Sequence, residues 1–496
     1  MAETFWALVP AILAIVLALV TKEVYLSLFV GIISGALFYT NFNIIETITT
    51  TFSIMGERIY GDDGWNANII IFLVLLGIMV ALLTKSGASR AYGKWAAQKI
   101  KGRKSAMLST VALSGFIFVD DYFACLTVGA VMGPIVDKFR ISRAKLAYLI
   151  DATAAPVCII APISSWAAAV STQLPPDSTI DGFMLFIKAI PANYYALLTL
   201  AMVIFIAVTG FDYGPMAKAE KIYKPSIKKD VMEVKDNSKA TIADLILPIL
   251  ALIILSVGCM LYTGGFFSGN DFISSFADCN AAQSLVMGAF MALVFTFILY
   301  VPRKIVTYKE FTESISDGFK SMTSAVLILV FAWTLSAVCG ESYLNAGGFV
   351  EKVIGNSSFG LAVIPAIFFV IAMFQAFSTG TSWGTFAILL PIIFTVFGGT
   401  ESNLMITSVA SVLAGAVCGD HVSPISDTTI MASTGAECEH IDHVSTQLPY
   451  AAPVAAASFV GYLVAGFTSN YILGLGISAA ILFTFLFVMK AKTKNA

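Results

Sequence analysis

The sequence predicts an all-α polytopic membrane protein: two inverted repeats of about seven spans each plus a C-terminal helix, with broken helices or re-entrant hairpins. Three observations predict it. The 496 residues are 58% hydrophobic and only 12% charged, about half the charge that soluble domains carry. The apolar residues fall in long runs, and a bilayer-spanning helix needs about 20 of them. Seven such runs precede a charged linker, an odd number, so a second copy starts from the opposite face of the membrane.

The first run, Phe5 to Val20, follows an N-terminus without the basic region of a cleavable signal, so a retained helix is expected over 5–21. Further spans are expected at 24–40, 67–84, 105–119, 122–136, 145–161 and 187–211. The stretch Lys218–Lys239 holds seven Lys and four acidic residues and no apolar run. Beyond it, spans are expected at 242–262, 283–300, 322–338, 359–377, 383–397, 403–418, 448–468 and 471–489. Runs this long, without alternation, exclude barrel strands. The expected organisation is a first membrane repeat over 1–212, a charged linker over 213–240, and a second repeat over 241–496 that includes the extra helix.

Charge orients the set. Five clusters, Lys85–Lys104, Lys138–Lys145, Lys218–Lys239, Arg303–Lys320 and Lys490–Lys494, hold 25 of the 29 basic residues. Threading the spans alternately from an outside N-terminus puts all five on one side, which the excess of Lys and Arg marks as cytoplasmic. The expected location is the cell (inner) membrane, multi-pass, with linker and C-terminus in the cytoplasm. A net charge of −2 with loop-clustered basic residues argues against nucleic acid as a partner. The seven cysteines contain no C-x-x-C pair and mostly sit in apolar runs, so a disulfide framework is not expected.

The two sides of the linker resemble each other. Ala161-Pro-Ile-Ser-Ser-Trp reads like Ser423-Pro-Ile-Ser-Asp-Thr at an offset of 262, and Ser171-Thr172 match Ser433-Thr434 at the same offset. Leu126-Thr127 ahead of Pro134 resembles Gly384-Thr385 ahead of Pro391. Conserved order and near-constant offset argue for duplication, and transporters with inverted repeats place their sites at broken helices near the midplane.

Polar residues inside membrane segments are costly and mark candidate sites. Asp120 and Asp121 lie between two short runs; adjacent carboxylates can bind a cation or share a proton, the alternative being an exposed loop tip. In the other half, Ser378-Thr379-Gly-Thr381-Ser382-Trp-Gly-Thr385 breaks its helix and offers hydroxyls and freed carbonyls, oxygen ligands that suit Na⁺. The strongest stretch is Cys418-Gly-Asp420-His421-Val-Ser423-Pro424-Ile-Ser426-Asp427-Thr428-Thr429. Two carboxylates, an imidazole and four hydroxyls crowd a proline that breaks the backbone ladder. Asp427 stands where the first copy has Ser165, so Asp420 and Asp427 are the expected Na⁺ carboxylates. Asp151 is a lesser candidate, early in its span, with interfacial solvation as the alternative. Glu437-Cys-Glu-His440-Ile-Asp-His443 has zinc-type residues but no second ligand cluster, and is read as a polar cap over the hairpin.

Enzymatic chemistry is not expected. Gly87–Lys94 looks superficially like a P-loop but has one residue too many and Trp95 where Ser or Thr is required. Neither H-E-x-x-H nor G-x-S-x-G occurs. No cofactor is expected, and the energy source is an ion gradient.

Thr379-Gly-Thr-Ser-Trp-Gly-Thr385 and Gly419-Asp-His-Val-Ser-Pro-Ile-Ser-Asp-Thr-Thr429, continued by Ser433-Thr-Gly-Ala and His440–Tyr450, resemble the signature of the NhaC family of sodium/proton antiporters. The Asp120-Asp121-Tyr122 element is similar to that family's too. The resemblance implies the wider ion-transporter superfamily: a scaffold domain, a mobile transport domain with two re-entrant hairpins, and often a homodimer. The function expected is Na⁺/H⁺ antiport by alternating access, with Na⁺ and H⁺ competing for membrane-embedded carboxylates. Relatives of that family include exchangers of lactate for malate and carriers of amino acids, so a Na⁺- or H⁺-coupled carrier of a small organic anion or amino acid stays as the alternative.

Overall fold

A computed structural model describes every residue except 1, 22, 62–63, 119–120, 175–180, 224–238, 273–274, 276–278, 341, 347–348, 350–357, 398–400, 425 and 495–496. The described residues form helices and turns, with no strand among them. Every expected span contains helix, but length sorts the helices into two classes. Seven are long and apolar enough to cross a membrane: Trp65–Ser86, Tyr194–Ile222, Ala243–Thr263, Ala282–Tyr300, Asn403–Val422, His440–Thr468 and Tyr471–Lys492. The bent pair within Tyr308–Cys339 makes an eighth. Others are short. Arg103–Phe116, Arg143–Cys158, Ile364–Thr379 and Ser382–Val396 run 14 to 16 residues, and at about 1.5 Å per residue none reaches the roughly 30 Å of a hydrocarbon core. The chain therefore enters the membrane in pieces, as the broken-helix reading requires.

Boundaries depart from expectation where polar residues interleave with apolar ones. Residues 41–66, read as a connection, contain the helix Ile44–Tyr60, capped by Asn43, whose side chain accepts from the Glu46 amide. It buries Thr47, Thr51 and Ile54 on one face and leaves Ile44, Ile45, Ile48 and Phe52 exposed on the other. The span expected at 187–211 begins earlier, as Gly182–Ala189, turns through a short 3-10 segment containing Pro191, and restarts under an Asn193 cap. The helix expected from 448 starts at His440, and that shift matters for the site.

At the centre lies Asn403–Val422, buried along nearly its whole length and packed on Ile364–Thr379, Ser382–Val396, His440–Thr468 and Tyr194–Thr209. Such a helix buries no polar face toward lipid and can afford small residues. Gly415 and Gly419, one turn apart, let Ile364–Thr379 approach to backbone contact. A Cβ on Gly419 would lie 2.1 Å from the Met373 carbonyl oxygen, and one on Gly415 would lie 2.4 Å from that of Phe369. Small-residue crossings of this kind are how membrane helices pack closely. Gly129 meets the backbone of Gly435 in the same way, joining Asp121–Lys138 to Asp427–Gly435.

Ion pairs tie the described parts of several basic clusters to neighbouring elements. Arg103 reaches Glu220, which also accepts from the Ser142 amide at 2.8 Å. Arg143 grips both oxygens of Asp137, at 3.0 and 2.8 Å, and donates to the Ala436 carbonyl at 3.1 Å. Lys85 pairs with Asp317 at 2.7 Å. Tyr223, just after the Gly214–Ile222 helix, donates to Asp137; partial burial and that carboxylate push its phenol up to about 12. Deeper in, fully buried Lys145 pairs with Asp212, to which the Tyr450 hydroxyl donates at 2.6 Å.

Candidate functional site

Two helix interruptions meet, one of them at the end of the central helix itself. Asn403–Val422 ends as the Ser423 amide bonds back to the Asp420 carbonyl at 3.0 Å, and Pro424 follows. The chain restarts at Asp427–Gly435 under Ser426, whose Oγ accepts from the Thr429 amide at 3.3 Å. Ser164, at the position paired with Ser426 by the offset of 262, caps Ser165–Ser171 in the same manner. Ser423 Oγ donates to the Phe377 carbonyl at 2.7 Å. This ties the first interruption to a second, where Gly380, at φ +68°, ends Ile364–Thr379 and Thr381 caps Ser382–Val396. A left-handed residue here favours glycine, which has no Cβ to clash.

The juncture surrounds Asp420 with oxygen. Its side chain is buried, and Thr428 Oγ1 donates to Oδ2 at 2.9 Å. Ser426 Oγ lies 2.9 Å from Thr428 Oγ1. Ser382 borders the same carboxylate while donating to the Ala416 carbonyl at 3.2 Å. Among the described residues no lysine or arginine pairs with Asp420. A carboxylate and three hydroxyls are hard oxygen donors of the type that bind alkali and alkaline-earth cations.

A second carboxylate adjoins the first. Asp151 is 2% exposed, and one of its oxygens, Oδ2, faces three donors. Gln447 Nε2 lies at 2.7 Å, His443 Nε2 at 3.1 Å and Thr429 Oγ1 at 3.2 Å. Thr429 Oγ1 is also 3.3 Å from the Asp420 carbonyl oxygen, and the Gln447 amide donates to the His421 carbonyl. The two carboxylates interact electrostatically. His421 Nδ1 meets the Tyr195 hydroxyl at 2.7 Å. Among the described residues, three buried atoms here have no hydrogen-bond partner: His421 Nε2, His443 Nδ1 and Gln447 Oε1.

Of the residues singled out by sequence, the structure brings together Ser382, Asp420, Ser426 and Thr428. His421 is present but turned to Tyr195. Ser423 fastens the interruption, Thr381 caps a helix, and Thr379 Oγ1 bonds within its own helix to the Gln375 carbonyl at 2.9 Å. Asp121 is buried elsewhere, accepting from Trp166 Nε1 at 3.3 Å; the Trp166 ring stands 5.9 Å from that of Trp383. Asp120 and the side chain of Asp427 lie outside the described residues. Interfacial solvation of Asp151 is corrected: that residue is a hub of the cluster. His440 caps the turn, bonding the Pro424 carbonyl at 2.6 Å and Ser433 Oγ at 3.1 Å. Sequence offers Tyr195 no role, reads His443 only as part of a polar cap and passes over Gln447. The signal for the last two was their i, i+4 spacing, which puts them on one face of a helix.

The Na⁺/H⁺ antiporter family model matches residues 177–467. An uncharacterized protein of Haemophilus influenzae is 40% identical over 505 residues, covering 99% of this chain and 96% of its own. The malate-2H⁺/Na⁺-lactate antiporter of Bacillus subtilis is 30% identical over 207 residues, covering 37% of this chain and 42% of its own. An uncharacterized Na⁺/H⁺ antiporter of H. influenzae is 31% identical over 169 residues, 33% of this chain and 34% of its own.

Proposed function

The chain belongs to the Na⁺/H⁺ antiporter family, and from that premise we propose that this secondary transporter exchanges Na⁺ for protons by alternating access. Both ions compete for the buried acidic cluster centred on Asp420. One observation carries the reading: Asp420 is buried among Ser382, Ser426 and Thr428 oxygens and, among the described residues, has no Lys or Arg against it. A carboxylate at this depth is expensive to keep ionised unless something neutralises it. Na⁺ does so by exchanging its hydration shell for protein oxygens, and a proton does so by bonding to the cluster. The cluster cannot cheaply hold both positive charges, which is the requirement for exchange. Asp427, which begins the helix after the interruption, is proposed as the second carboxylate of the Na⁺ site.

Similarity to the B. subtilis antiporter favours one further reading, a carrier that also moves a small organic acid. The absence of Lys or Arg at the described cluster gives a carboxylate substrate no counter-charge there, so ion exchange ranks first. Purified protein in liposomes tests the choice. A Na⁺ gradient with no organic solute should drive proton movement, and Asp420→Asn should abolish it. Proton movement that starts only on adding malate, lactate or an amino acid would replace the first reading with the second.

A further inference from the structure

We propose that Asp151 and His443 form a proton-binding centre of their own: the transported proton rests on this pair when Na⁺ has left the oxygens around Asp420, and departs when Na⁺ binds there. This assignment rests on the antiport reading and divides its site in two.

The geometry gives the pair a place for one proton. Asp151 Oδ2 already faces the Gln447 amide and the Thr429 hydroxyl, so it acts as an acceptor, and His443 presents Nε2 to it at 3.1 Å. A neutral imidazole donating from Nε2 keeps its lone pair on Nδ1. Among the described residues His443 Nδ1 is buried without a partner, and buried polar atoms without partners call for an explanation. Taking up a proton forms one N–H bond there and leaves an imidazolium against the Asp151 carboxylate; giving it up restores the neutral ring. No other bond changes.

Two links couple this centre to Asp420. Thr429 has one hydroxyl hydrogen and two acceptors, Asp151 Oδ2 at 3.2 Å and the Asp420 carbonyl at 3.3 Å. When the pair carries a proton, Asp151 is neutralised by its own partner and the hydrogen turns to the Asp420 carbonyl, occupying a lone pair that Na⁺ would use. The second link is Coulombic, since two positive charges in a site of low dielectric repel strongly. The titratable groups around His443 are Asp151 from Arg143–Cys158, His421 and, beyond Asp151, Asp420 from Asn403–Val422, and Cys438 in the turn before its own helix. Tyr195, from Tyr194–Thr209, is engaged by His421.

The test uses the full chain in liposomes, with two readouts: Na⁺-driven proton movement, and exchange of radioactive Na⁺ for Na⁺ across a pH series. Wild-type isotope exchange should slow as pH falls. In His443→Gln, proton movement should drop to the leak of protein-free liposomes, while isotope exchange persists and loses its inhibition by acid. Asp151→Asn should behave alike. Proton movement at the wild-type level in His443→Gln overturns the assignment. So does loss of isotope exchange together with proton movement in a variant that still elutes as a single peak, and so does misfolding of both variants, which would make the pair a structural one. If wild type moves no protons without an organic solute, the antiport reading falls instead, and the pH dependence of isotope exchange still decides where the proton sits.

Discussion

Gly419→Ala isolates the crossing that holds the two interruptions together. The added Cβ would sit 2.1 Å from the Met373 carbonyl oxygen and 2.8 Å from both Ala376 Cβ and the Phe377 amide nitrogen. Two of those atoms are backbone, so rotamer changes cannot relieve them. Restoring a contact of about 3.5 Å requires the helices to part by about 1.4 Å at this point. Overpacking of this kind costs about 1–3 kcal/mol, offset by up to about 1 kcal/mol from replacing a helical glycine with alanine. Net destabilisation is therefore up to about 3 kcal/mol. Gly258→Ala supplies the control, because a Cβ there has nothing within 4 Å and should gain rather than lose stability. Function should suffer more than stability. Gly419 precedes Asp420, and a shift of about 1 Å in a positioned group can cost about a hundredfold in rate. Thermal unfolding of the detergent-purified variants, with Na⁺ flux in liposomes, checks both parts. A Gly419→Ala protein as stable as Gly258→Ala and transporting at the wild-type rate would refute the close-crossing argument.

Other expectations follow from the same geometry. Lys145→Met leaves Asp212 unpaired near the buried Tyr450 hydroxyl and should destabilise by about 3–5 kcal/mol; the double variant with Asp212→Asn should recover much of this, and an unchanged unfolding temperature in the single variant would contradict it. Cys438 is held up to about 12 by partial burial and by the Asp442 and Glu439 carboxylates. Its alkylation should be slow at neutral pH and rise roughly tenfold per pH unit, since the thiolate is the nucleophile; labelling at the rate of a free thiol at neutral pH would count against it. Cysteines placed in Lys85–Lys104 and Lys218–Lys239 of a Cys-depleted protein should both resist an impermeant maleimide outside intact cells. Labelling of only one would break the odd-span count and the inverted repeat derived from it.

How much of the site could be read from sequence depended on contrast. Asp420, Ser426, Thr428 and Ser382 stand out because each interrupts an apolar run beside Pro424 or Gly380, where backbone groups lose their ladder partners. His443 and Gln447 had no such background. They follow Glu437, Glu439 and Asp442, and in that company they read as a surface turn. Only the start of the helix at His440 turns both inward, and only the fold brings Asp151 to meet them. The helix Ile44–Tyr60 escaped for a related reason: Thr and Glu alternate with Ile, so hydropathy shows no run even though one face is buried. The apolar segments were legible because burial in lipid is a property of composition; short segments stop halfway because of local caps and pairings that composition does not encode.

The bond between Asp151 and His443 also sets a timetable. The two residues are 292 positions apart, and a ribosome adding about 5–20 residues per second needs roughly 15–60 s to make the second after the first. During that interval the helix carrying Asp151 is already synthesised, and neither His443, Gln447 nor Thr429 exists. An unpartnered aspartate in the middle of an apolar helix weakens its membrane insertion by up to roughly 2.5–3.5 kcal/mol. The newborn first half must therefore shelter that carboxylate beside water, other helices or the insertion machinery until the chain is nearly finished. The site assembles last, and the membrane has to tolerate its absence first.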